Sequence, residues 1–68
     1  MATFKEANQV RLALKMKLSQ YSWYSSSKVI ADNEGYLVMV GVSKIDNQIR
    51  KVISPVIDGV EVKTEVEF

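Results

Sequence analysis

From Val60 to Phe68, Val60, Val62, Thr64, Val66 and Phe68 alternate with Glu61, Lys63, Glu65 and Glu67. Only an extended backbone sends every second side chain to the same face, so the pattern predicts a strand with one face buried and one in water. Such a strand needs neighbours along its edges and a layer over its apolar face. The rest of a chain of 68 residues has to supply both. With no Cys and no His, neither a disulfide nor a nitrogen- or sulfur-ligated metal can stand in for a core. A domain this small buries only about 60% of the surface its unfolded chain exposes. Association with a second molecule is the expected supplement.

The covering layer is legible at the other end. Thr3-Phe4-Lys5-Glu6 has the form of a capping box, in which the Thr3 hydroxyl and the Glu6 carboxylate each accept from the other residue's amide. Behind it Phe4, Ala7, Val10, Leu14, Leu18 and Tyr21 recur at three- and four-residue steps. This predicts an amphipathic helix of about five turns. Residues 21–28 mix three aromatics with four serines, which reads as a loop entering a first strand firm over Lys28–Asp32. Asp32-Asn33-Glu34-Gly35 is turn chemistry, with Asn33 and Gly35 able to take positive φ, and Tyr36–Val42 completes a β-hairpin. Ser43 as N-cap and Asp46 in the first turn predict a second helix, with Ile45, Ile49, Val52, Ile53 and Val56 on one face. Pro55 lacks a donor and clashes with the preceding turn, so this helix should end or kink near Ser54. Asp58-Gly59 turns the chain into the last strand. The expected fold is one α+β domain over residues 1–68, of order αββαβ, with both helices on one face of a three-stranded sheet.

The segment from Val29 to Val66 resembles a BON domain, a small αββαβ module of bacterial envelope and stress proteins. The resemblance is carried by Asp32-Asn33 with Gly35 after it, by alternating Tyr36, Val38 and Val40, and by Gly41-Val42 at the strand end. Ile57-Asp58-Gly59-Val60, followed by Val62 and Val66, matches the exit into the last strand. Ile and Val stand where that family packs Ala on its second helix, and the Ser-rich segment is outside its pattern. The resemblance implies attachment to membrane surfaces, phospholipid or other envelope components, without catalysis.

The residues themselves point to binding. At 47% hydrophobic and 25% charged, the composition is that of a globular domain, not a disordered one. Without His or Cys, acid–base and nucleophilic chemistry falls to carboxylates, Lys, Tyr and Ser. Glu61, Glu65 and Glu67 share a strand face with Lys63, the pattern of a solvated surface, and no glycine-rich phosphate loop is present. No catalytic residue, cofactor or metal is expected. Residues 1–28 carry a net +4 and residues 29–68 a net −3. Tyr21, Trp23 and Tyr24 beside Arg11, Lys15, Lys17 and Lys28 could serve nucleic acid, as a third reading after a protein partner and a lipid surface.

The stronger signal is apolar. Leu12 and Met16 lie about 150–170° from the centre of the first helix's stripe. Leu37 and Met39 point away from Tyr36, Val38, Val40 and Val42. Either the Trp23 loop or a second molecule should cover that second face. Leu12, Met16, Trp23, Tyr24, Leu37 and Met39 are therefore the candidate contact residues, for a partner protein or a second copy. The chain does not open on a basic-then-apolar signal, and its apolar runs fall short of the roughly 18 residues of a membrane span. The expected compartment is the cytoplasm.

Overall fold

The computed structural model describes residues 2–66. Thr3 is the N-cap of helix α1 (Phe4–Leu18). Its Oγ1 accepts from the Glu6 amide at 3.2 Å, and Glu6 Oε1 accepts from the Thr3 amide at 3.0 Å, so the capping box is complete. Ala7, Val10, Leu14 and Leu18 form the buried stripe. At 15 residues the helix has about four turns, one fewer than the periodicity suggested. Tyr21 lies beyond its end, and Phe4 is 55% exposed, set edge-on against Tyr36 with ring centroids 5.5 Å apart.

The Glu6 carboxylate is held below its ordinary pKa, first by the Thr3 amide and then by the Thr3 hydroxyl. A lowered folded-state value stabilises the fold above the unfolded pKa, and this is lost as pH falls through the folded one. The melting-temperature gap between the parent and Glu6→Ala should therefore be present at pH 7 and close as pH drops through about 4 and below. A gap that does not vary with pH would assign the role to packing instead.

Strands β1 (Tyr24–Asp32) and β2 (Gly35–Val42) form the expected antiparallel hairpin. At its turn the Glu34 amide donates to Asp32 Oδ1 at 3.1 Å. Among the described non-glycine residues only Asp58 has positive φ, so Asn33 does not use that freedom, whereas Gly35 does. The first strand begins at Tyr24, not Lys28. Because β2 runs on to Val42, it offers backbone partners to the serine run, which joins the sheet through a register shift between Tyr24 and Ser26. Tyr24 Oη and Ser27 Oγ are hydrogen-bonded at 3.0 Å.

Helix α2 (Asn47–Val52) is shorter than expected and starts later. Its N-cap is Asp46, whose Oδ1 accepts from the Ile49 amide at 2.9 Å. Ser43 does not cap it, because the Ser43 amide donates to the Trp23 carbonyl at 2.9 Å and so still belongs to the β1–β2 ribbon. The helix ends at Val52, before Ser54 and Pro55, as a residue without an N–H should enforce. Val56 is therefore not on a helix face: it stands 57% exposed in strand β3 (Val56–Ile57).

That short strand makes the sheet four-stranded rather than three-stranded, in the order β1-β2-β4-β3, with β4 at Val60–Val66. Asp58 (φ 51°) and Gly59 (φ 78°) form the two-residue connection that sets Ile57 opposite Val60. Left-handed backbone at both positions matches the twist of the paired strands. A Cβ at Gly59 would meet nothing within 4 Å, so glycine serves the backbone there and not the space around it. Glu67 and Phe68, expected to continue the last strand, lie outside the described residues.

β2 runs antiparallel to β1 and parallel to β4, and a parallel neighbour requires the crossover that residues 43–59 provide. Val38, Val40, Val42, Val60 and Val62 pack with the α1 stripe and with Ile49 and Ile53 into one core. Both helices thus serve the same side of an α+β domain with a mixed sheet.

Candidate functional site

The six candidate residues fall into three places. Leu12 (44% exposed) and Met16 (81% exposed) are on the side of α1 turned away from the sheet. Trp23 stacks on Tyr21 with centroids 4.7 Å apart, and both rings, with Tyr24, pack against the core. Leu37 and Met39 lie on the sheet face opposite α1, since they alternate with the core residues Val38 and Val40. The helix and the sheet therefore stand between the Leu12–Met16 pair and the Leu37–Met39 pair, and no single surface joins them.

The Trp23 loop does not cover Leu37. Its carbonyl is bonded to Ser43, whereas Leu37 sits near the other end of β2, six residues and roughly 20 Å of strand away. Leu37 is nevertheless only 5% exposed, and it is not part of the core cluster. Its neighbours on that face follow from the register. The register sets Ile30 directly opposite Leu37, and sets Lys28 and Lys63 on either side of Met39. Long lysine stems can lie along apolar surface while their ammonium groups stay in water. The helix-free face is thus an Ile30–Leu37–Met39 strip bordered by charge.

No family model, characterised protein or solved structure matches this chain. Among the described residues no polar or charged side chain is buried, and no three acidic residues are grouped so as to hold a metal ion. Among the described residues no helix is long and apolar enough to cross a membrane. Two shallow depressions carry opposite charge. Arg11 and Lys28 line one beside Asn8, Ser27 and Val29, and Asp32, Glu34 and Glu61 line the other. They flank the two ends of the Lys28–Asp32 segment.

Ile30 was not singled out by the sequence pattern, and Lys28 and Asp32 were read there as part of a basic set and of a turn, not as the border of this face. Ile30 by itself is an ordinary strand residue. Its importance follows from the 30↔37 register, which the two-residue turn at Asn33-Glu34 fixes. That turn was the available signal.

Proposed function

We propose that this chain acts as a non-enzymatic protein-binding module whose contact surface is the helix-free face of its sheet. The observation that carries this reading is Leu37, secluded from water on a face that no described element covers, with Ile30 and Met39 extending the apolar strip. An antiparallel sheet face left to water is ordinarily polar. An apolar strip with a charged border has the composition of an interface core and rim.

Capture experiments in lysate of the source organism test the reading, using the parent, Met39→Glu and Met16→Glu. Met39→Glu should lower recovery of the specific protein partner by about tenfold or more, the effect of losing about 1.4 kcal/mol of contact energy. Met16→Glu, on the far side of α1, should retain it. Equal capture by all three removes the sheet face from consideration. The same proteins are to be mixed with anionic phospholipid vesicles. Sedimentation with vesicles that salt abolishes and Met39→Glu leaves intact would favour the envelope attachment that the BON resemblance implies.

A further inference from the structure

We infer that two copies of this chain pair antiparallel through the outer edge of β1, centred on Ile30, into one continuous sheet. The inference goes beyond the reading of this domain as a protein-binding module: the second copy takes the edge of β1 and leaves the helix-free face to a further partner.

β1 is the end strand of the sheet, and among the described residues no strand pairs with its outer edge. The direction of its backbone groups follows from one hydrogen bond. The Tyr36 amide donates to the Ala2 carbonyl at 3.2 Å, so it is not given to Ala31, its partner across the hairpin. Tyr36–Ala31 is therefore a pair without mutual hydrogen bonds. Because pair types alternate along an antiparallel ladder, Val29–Val38 is another. Val29 and Ala31 thus point their N–H and C=O groups outward, where a further strand would meet them.

Charge selects that strand. An edge lysine ordinarily discourages pairing. Here Lys28 is followed four residues later, on the same face, by Asp32. An antiparallel copy centred on Ile30 puts Lys28 opposite the partner's Asp32, and Asp32 opposite the partner's Lys28. Centring on Val29 would set Lys28 against Ile30 and lose both ion pairs. Centring on Ala31 would run Lys28 past the end of the partner's strand. In this register pairing is confined to Lys28–Asp32, because β1 ends at Asp32 and Ser27 would fall opposite the partner's Asn33 in the turn. On the helix-free face the same register joins Leu37 and Ile30 of one copy to Ile30 and Leu37 of the other in an unbroken apolar row.

Sedimentation equilibrium of the purified chain, from micromolar to millimolar concentration, should show the mass doubling, and added salt should oppose it. Ala31→Pro, at an exposed residue, removes an outward donor without touching the β2 ladder or the core, so it should keep the fold and abolish the doubling. Lys28→Asp should raise the dimer dissociation constant by about tenfold or more, because like charges then face each other across the strands. Register is read separately. The chain has no cysteine, so Ile30→Cys introduces a single thiol on the symmetry axis. Ile30 turns its N–H and C=O towards Leu37, so the Ile30 pair across the axis is without mutual hydrogen bonds, and residues so opposed lie about 4.5 Å apart at Cα, within the span a disulfide bridges. Oxidised glutathione should convert Ile30→Cys to a covalent dimer and leave Ala31→Cys mostly unlinked.

A single-chain mass throughout, with Ile30→Cys unlinked, overturns the pairing, and faster linking of Ala31→Cys or Val29→Cys overturns the register. A monomer in which Met39→Glu still costs partner capture overturns the pairing alone. A β1-linked dimer with capture unchanged in Met39→Glu overturns the face reading alone.

Discussion

Leu18→Ala is expected to leave much of the protein unfolded at physiological temperature, while Met16→Ala should leave its stability nearly unchanged. The two residues are two positions apart on α1, but they meet different surroundings. Leu18 is fully buried in the last turn of the helix, whereas Met16 is 81% exposed. Truncating a buried Leu to Ala costs about 2–5 kcal/mol, because transfer energy is lost and a cavity remains. At about 0.05–0.15 kcal/mol per residue, a domain of this length holds a total of roughly 3–10 kcal/mol. The substitution therefore removes a large share of all the stability present. Surface substitutions away from special features stay within about 0.5 kcal/mol. Urea titrations of both variants decide the matter. A loss below about 1 kcal/mol at Leu18, or a comparable loss at Met16, would contradict the division of α1 into a core stripe and an outer face.

What the sequence made legible was local and periodic. The capping box of α1 is formed as read, the Ala7–Val10–Leu14–Leu18 part of its stripe is buried while Phe4 and Tyr21 at its ends are not part of it, and β4 is a strand over Val60–Val66. The end of α2 before Pro55 was equally clear, because a missing donor acts whatever the tertiary surroundings. The misread features depended on distant partners. Ser43 and Asp46 are both good capping residues; the choice fell to Asp46 because Trp23, twenty positions upstream, accepts the Ser43 amide. The serine run is a strand because β2 is long enough to pair with it. β3, with two residues, is too short to show any period.

The candidate site divides along the same line. Alternation alone placed Leu37 and Met39 opposite Val38 and Val40. It could not show that α1 lies between them and Leu12–Met16, nor that Ile30 and Lys28 stand beside them, since both facts belong to the register of the sheet.

Ile49→Ala should release α2 from the rest of the domain before the sheet unfolds. Isolated helices shorter than about 12–15 residues are marginal in water, and α2 has six. Two things hold it. The Asp46 cap is worth about 1 kcal/mol by comparison with other caps. The larger anchor is Ile49, 1% exposed within the core, with Ile53 at 5% behind it. Removing the Ile49 side chain to Cβ should cost about 2–5 kcal/mol. The β2–β4 ladder does not run through α2, so its hydrogen bonds survive when the helix detaches. Amide exchange separates these events. The Arg50 and Ile53 amides, bonded to the Asp46 and Ile49 carbonyls at 3.1 and 2.9 Å, should lose protection first. Those of Val38 and Val40 should follow only the smaller fall in global stability. Asp46→Ala should give the same order with a weaker effect. If the α2 amides of Ile49→Ala instead exchange in step with those of β2, the helix is an inseparable part of the cooperative core, and the crossover between the parallel strands is as firmly held as the strands it connects.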